Sequence, residues 1–376
     1  GVDSFGDVIA QVDKGLPDRM PQDFSARSYF DRTHKPEYAG QIDPSRPAAD
    51  IARLIRALDH GGYDNPVASA WLSTSRGSIL VRSANKAEVT GKPGAVLALD
   101  EKSVTLATAD VALRLIGLTD PMGAHVNPAE FMRVGEVLTS PSTSDETLKT
   151  LARSEPLWRD RFKNFHPVDW PMSQGPGDDA STTLTTDAAP DRIAVAFAAL
   201  MAKMSGGNGA DLALATDAAS PLASPWLPVR FDPAGGWQTA IMAFNEALKS
   251  AKAVGPFAFD LPARTAGLHE RKTPAAAIST GNAAPGAALT LALGDTPTLI
   301  GDPTRIGAED VARIARRLEH LLAANGALAS DTPIADLPTL PDAERNQVLN
   351  TFNATETAAP AETLIHRAFE RQAARN

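Results

Sequence analysis

Seven histidines, His34, His60, His125, His166, His269, His320 and His366, are the natural proton carriers of this 376-residue chain near neutral pH, and no two are adjacent. Two lie near a carboxylate: His166 beside Asp169, and His269 downstream of Asp260. Such a pair can act as a base and its orienting acid, as acyl transfer requires, but nearness in sequence is not geometry and Pro167 stiffens the first pair. His34 and His60 fall in loop-like settings without a partner at metal-ligand spacing, so both are expected at the surface. Ser205-Gly206-Gly207-Asn208-Gly209 has the composition of a phosphate-cradling loop. It follows an expected helix rather than a strand and lacks the Lys-Ser/Thr pair, so it predicts a turn. Asn353-Ala354-Thr355 fits a glycosylation sequon, which has no meaning without a secretory signal. Arg53 and Arg56 are read as solvated charges. No catalytic, cofactor-binding or metal-binding residue is assigned.

The absence of cysteine removes disulfides, thiolate metal ligands and a thiol nucleophile. A net charge of -9 argues against a general nucleic-acid binder. No apolar run approaches the roughly 20 residues needed to cross a bilayer, and GVDSFGDVIAQVDKG lacks the layout of a signal peptide, so a cytoplasmic protein without membrane contact is expected. With 29 prolines and 27 glycines, many short elements and connectors are predicted.

Several elements must position whatever chemistry there is. Phe5, Val8, Ile9 and Val12 predict a helix over 4–14, and Gln22 to Arg32 reads as irregular and extended. Ile51, Leu54, Ile55 and Leu58 share one face of a helix from Ala48 to Asp59, stopped by Gly61-Gly62. Strands are predicted at 70–72, 78–82, 95–99, 103–107 and 111–118, and a helix followed by five short strands predicts a small barrel. Pro121 to Ser144 reads as a connector, followed by a helix from about Asp145 carrying Leu148, Leu151 and Trp158. A helix and loop over 193–211, helices over 237–251 and 308–324, and strands at 212–215, 225–231 and 288–293 follow. Leu337 to Thr355 (LPTLPDAERNQVLNTFNAT) is a proline-marked connector leading into a short helix, with Asp342 as its expected N-cap and Val348, Leu349 and Phe352 as its apolar stripe.

The segments QDFSARSYFDR, Ile42-Asp43, ADIARLIRALD, YDNPVASAW, GKPGAVLALD and VALRLIGL, in that order, resemble the C-terminal subdomain of formyltransferases of the methionyl-tRNA formyltransferase type, over about residues 1–120. The resemblance implies an open barrel of OB-like shape. The Asn, His and Asp that carry formyl transfer in that family lie upstream of the matching region, so the folate chemistry does not transfer to this chain.

From about residue 145 the chain resembles nonribosomal peptide synthetases. Leu157-Trp158-Arg159-Asp160-Arg161-Phe162 is similar to the helix between the two lobes of a condensation domain, IAVAFAALMAKMSGGNGAD to its C-terminal lobe, and Leu337–Thr355 to the junction with an adenylation domain. Leu364 to Ala373 resembles the first helix of that adenylation domain, which implies a piece of a larger synthetase. The catalytic HHxxxDG signature of condensation domains and the D-F-G-W-G latch are missing, and the space between 120 and 145 is too short for an N-terminal lobe. The expected architecture is α/β (α+β): a small OB-like β-barrel preceded by a helix, then an α/β sandwich lobe like half of a condensation, or chloramphenicol-acetyltransferase-like, domain. The expected divisions are 1–43, tail of the formyltransferase catalytic domain and linker; 44–120, barrel; 121–170, linker and lobe-linking helix; 171–336, partial condensation domain; and 337–376, linker and start of the adenylation domain.

The resemblance implies a non-catalytic structural or docking portion of a synthetase in natural-product biosynthesis. Its partners would be an upstream formyltransferase-like catalytic domain and a downstream adenylation domain of the same polypeptide, with no nucleic acid and no membrane. No cofactor is expected in this portion, the parent using ATP and phosphopantetheine on a carrier domain. The alternatives are a platform that recruits an enzyme or carrier protein acting in trans, and residual acyl or formyl transfer through the two histidine–aspartate pairs.

Overall fold

The structure, a computed structural model, describes residues 2–15, 21–31, 33–141, 145–168, 180–206, 209–217, 220–268, 274–324, 332–356 and 364–375. Its first helix, α1 (Val2–Asp13), forms where the periodicity predicts it, but Phe5, Val8, Ile9 and Val12 are all exposed.

The barrel begins with α2 (Ala48–Leu58), which buries Ile51, Ile55 and Leu58 of the stripe read from the sequence, while its fourth member, Leu54, is half-buried against the same core. Five strands follow: β1 (Ala70–Thr74), β2 (Gly77–Lys86), β3 (Val96–Asp100), β4 (Ser103–Leu106) and β5 (Leu113–Thr119). They pair antiparallel in the order β1-β2-β5-β4-β3, so β1 and β3 remain edges of a curled, open sheet. Ile55, Ile79, Val104 and Leu115 fill its core with no exposed surface.

Within the predicted connector 121–144, the described residues Pro121 to Pro141 do more than link two units. Leu138 donates its N–H to Gly94, Val96 donates to Glu136, and Gly135 donates back to Val96, at 2.8, 2.9 and 2.8 Å. Met132 and Leu138 are buried in the barrel core. The segment thus satisfies backbone groups that edge strand β3 would otherwise leave unpaired. Gly94 is needed for that approach: it has φ +89°, and a Cβ there would lie 2.5 Å from the Leu138 carbonyl oxygen.

The second unit starts with α3 (Asp145–Lys163), which runs unbroken through Pro156. Its sheet contains β6 (Ala180–Thr183), β7 (Ala210–Ala215), β8 (Trp226–Phe231), β9 (Ala276–Ser279), β10 (Leu289–Ala292) and β11 (Thr298–Gly301), in the order β6-β11-β10-β9-β7-β8. The β7–β9 and β9–β10 pairs are parallel and the rest antiparallel. Helices α4 (Pro190–Met204), α5 (Trp237–Val254) and α6 (Ala308–Ala324) pack on one another and on the sheet. In α4, Ile193 through Ala202 are all buried, because its many alanines let neighbours approach on every side.

At the end come α7 (Asp342–Asn346), a π-helical turn over Gln347–Thr351, and α8 (Ile365–Ala373). The expected cap is displaced by one residue: Pro341 occupies the N-cap without a side-chain bond, and Asp342 is already helical. Arg317 of α6 holds Glu344 of α7, its Nε 2.9 Å from Oε2. Val348, Leu349, Phe352, Ile365 and Phe369 are exposed. Among the described residues no helix is long and apolar enough to cross a membrane.

Candidate functional site

The densest assembly of buried charge lies where the barrel meets the second unit. Helix α3 contributes Glu155 and Arg159, which are four residues apart and therefore on one face. The turn after α5 contributes Asp260 and Arg264, also four apart, and the barrel side contributes Lys35, Asp64 and Asn65. Three cations face three carboxylates, so the group is balanced.

Glu155 is the hub. Its Oε2 accepts from Lys35 Nζ at 2.8 Å and from Arg264 Nη1 at 3.2 Å, and its Oε1 accepts from Arg264 Nη2. Arg264 Nε lies 3.1 Å from Asp260 Oδ2 as an ion pair, although it is not aligned for a hydrogen bond. That same Oδ2 accepts the Ser69 backbone N–H at 2.7 Å, across the junction. Arg264 Nη1 and Arg159 Nη2 both donate to the Asn65 carbonyl, at 3.0 and 2.9 Å, and Arg159 lies 3.3 Å from Asp64. The Asn65 side chain donates to the Leu58 and Ala68 carbonyls at 2.8 Å, so it ties the end of α2 to the strand that follows.

The Lys35, Asp260, Glu155 and Arg264 side chains are 6, 5, 8 and 2% exposed, so the network is almost dry. Burial pulls the Arg264 guanidinium toward its neutral form, but the Asp260 and Glu155 carboxylates outweigh it and raise its pKa. For Lys35 burial and the like charge of Arg264 prevail over Glu155, and its pKa falls below the ordinary 10.5. Arg159 is likewise lowered by burial and by Arg264.

An apolar cluster lies beside the charges. Trp71 and Leu80 of the barrel pack with Leu148, Leu151, Leu222 and Phe259 of the second unit. The Trp71 and Phe259 rings meet edge to face with centroids 5.0 Å apart, and the indole N–H donates to the Ala39 carbonyl at 3.2 Å. That carbonyl is aimed by a tight turn in which Tyr38, Ala39 and Gly40 have φ of 54, 55 and 81°. Gly40 cannot carry a side chain, since a Cβ would lie 2.5 Å from the Ser69 carbonyl oxygen.

Each of the two histidine–carboxylate pairs has one member outside the described residues. His166 is exposed, its Nδ1 is 2.8 Å from the Asn164 carbonyl, and the carboxylate beside it is Asp211, which accepts its backbone N–H at 2.5 Å. Asp169 lies outside the described residues. Asp260 is committed to Arg264 and Ser69, and His269 too lies outside the described residues. Of the turn 205–209, Ser205, Gly206 and Gly209 are described; Ser205 ends α4 and its hydroxyl donates to the Met201 carbonyl at 2.9 Å. Arg53 is exposed and pairs with Asp50 at 2.8 Å. No group of three or more metal-ligating side chains occurs among the described residues. Sequence reading missed Lys35, Glu155 and Arg264 altogether. The traces available were Arg159 within LWRDRF and the four-residue spacing of Asp260 and Arg264.

The arrangement defines a two-unit α/β scaffold locked at a charged, dry junction. Residues 37–135 match the formyl transferase C-terminal domain, which agrees with the resemblance read from the segments above. The chain is 32% identical over 120 residues to the methionyl-tRNA formyltransferase of Methylibium petroleiphilum, covering 32% of this chain and 36% of that protein. It is 30% identical over 141 residues to the same enzyme of Granulibacter bethesdensis, covering 37% of this chain and 41% of that protein. The chain thus spans about a third of the length of the curated relatives it matches. Among solved structures, neighbours include the starter condensation domain of rhizomide synthetase RzmA (15% identity, TM-score 0.35, covering 54% of this chain and 60% of that one). Another is the X-domain in its complex with OxyB from teicoplanin biosynthesis (16% identity, TM-score 0.40, covering 64 and 73%).

Proposed function

We propose that this chain is a non-catalytic structural portion of a cytoplasmic nonribosomal peptide synthetase, joining an upstream formyltransferase-like domain to a downstream adenylation domain. The observation that carries the reading is the Glu155–Arg264–Asp260 network with Lys35. A catalytic carboxylate or base must reach a substrate, whereas these groups are paired with one another and closed to solvent. Buried charges held this way specify one mutual orientation of two units, which a rigid spacer between domains requires. Within this reading the divisions are those expected from the sequence, 171–336 serving as a half-condensation lobe and 337–376 leading into adenylation. ATP and phosphopantetheine belong to the parent.

The reading in which the lobe recruits a separate enzyme or carrier protein draws on the uncovered apolar side chains of α1, of the π-helical turn after α7 and of α8. The same polypeptide already covers the junction face, and that favours the scaffold.

The test is the parent synthetase carrying Glu155→Ala, or lacking 145–336, in an amino-acid-dependent adenylation and loading assay. Loss of soluble, active protein is expected. Intact adenylation and loading with loss of the final product would favour recruitment, and unchanged product formation would remove both readings.

A further inference from the structure

We propose that the cleft beside the junction is a binding site for a small organic phosphate, a role independent of the scaffold reading. The cleft measures about 440 Å³. Its lining brings together His60 and Tyr63 from the turn after α2, Arg82 from β2, His125 from the turn after β5, and Ala263 with Arg264 from the second unit.

The charges in it are not equivalent. Arg264 is neutralised by Glu155 and Asp260. Asp59, the acidic residue of the lining, accepts the Gly61 N–H at 3.1 Å. The side chains of Arg82, His60 and His125, by contrast, have no hydrogen bond or ion pair among the described residues. Three unpartnered basic side chains thus share one space, in which Arg82 supplies a permanent positive charge beside the Asp59 carboxylate and the two imidazoles supply ring nitrogens for hydrogen bonds.

The backbone makes room for the most strongly charged of them. Register places Gly117 of β5 opposite Arg82, with φ +68°, and a Cβ there would lie 2.9 Å from the Arg82 Cβ. With glycine at 117 the Arg82 stem is free to enter the cleft.

One guanidinium and two imidazoles supply more donors than a single carboxylate needs, and they suit the several oxygens of a phosphate monoester. The cleft is also far larger than an inorganic anion. Leu58, Leu80 and Val81 form part of its floor, and the exposed ring of Tyr63 offers apolar surface for an organic body.

Titration calorimetry of the whole chain with glycerol 3-phosphate, inorganic phosphate and glycerol tests the site. Saturable binding of glycerol 3-phosphate is expected, weaker binding of inorganic phosphate, and none of glycerol. Arg82→Ala should weaken binding about tenfold through loss of a charged hydrogen bond, with the melting temperature checked in parallel. His125→Ala should weaken it less. Arg53→Ala, on the exposed face of α2, should leave it unchanged. No saturation up to about 10 mM glycerol 3-phosphate would overturn the proposal, as would equal losses in the Arg82 and Arg53 variants. Equal affinity for inorganic phosphate would overturn the organic part of it.

Discussion

Glu155 receives two cations and gives up almost all contact with water, so its removal leaves Lys35 and Arg264 buried beside one another. Glu155→Ala is expected to cost about 3–5 kcal/mol in denaturant unfolding, the usual penalty for orphaning a buried charge. Lys35→Met should cost less: Arg264 still satisfies Glu155, and the ammonium removed is one that burial disfavours, although the Pro66 carbonyl loses its donor. Because the Lys35 pKa is lower in the folded chain, the unfolded chain binds more protons in the window below 10.5. Stability therefore rises as pH climbs through that window, and Lys35→Met should remove this part of the rise when melts of the two proteins are compared. Asp100 follows the opposite rule. The Ser103 hydroxyl, the Lys102 N–H and Arg114 lower its pKa from 3.8 to about 2. Its contribution is full above 3.8 and lost as pH falls through about 2, which a carboxyl-carbon NMR titration would follow.

Among the elements, the turn at 38–40 and the packing of β11 depend on glycine. Gly40→Ala meets a left-handed backbone and the Ser69 carbonyl together, and about 2 kcal/mol or more of stability should be lost. Gly301 in β11 is different. Its backbone is ordinary, but a Cβ would meet Ile306 and Val311 at 2.7 and 2.8 Å, so Gly301→Ala is an overpacking change expected to cost about 1–3 kcal/mol. Thermal melts followed by fluorescence separate the two if Gly40→Ala also loosens Trp71, its signal read as the difference from a Trp71→Phe protein because the chain has five tryptophans.

At the scale of the whole molecule, the junction cluster lies between two hydrophobic cores, one in each unit, and is expected to couple their unfolding. One cooperative transition is expected for the natural chain. Trp71→Ala removes a fully buried ring that contacts Phe259, and it should cost about 3–5 kcal/mol and split the transition in two. A single unchanged transition by calorimetry would show that the units are coupled elsewhere.

Much of the fold was legible from the chain alone wherever burial is one-sided. The stripe of α2, the strands of the barrel and the apolar face of α6 repeat with the period of their element, because only one face meets the core. Strands β6, β9 and β11 were not legible: each has four residues, and Ala-Ser-Thr-Thr or Ala-Ala-Ile-Ser carries no period that separates it from a loop. Neighbouring strands define them, through backbone bonds that leave no mark on side-chain pattern. The junction was illegible for a related reason. Lys35, Glu155 and Arg264 are separated by 120 and 109 positions, and each alone reads as an ordinary surface charge. Local periodicity determined the elements, while tertiary structure decided which charges lost their water and had to find one another.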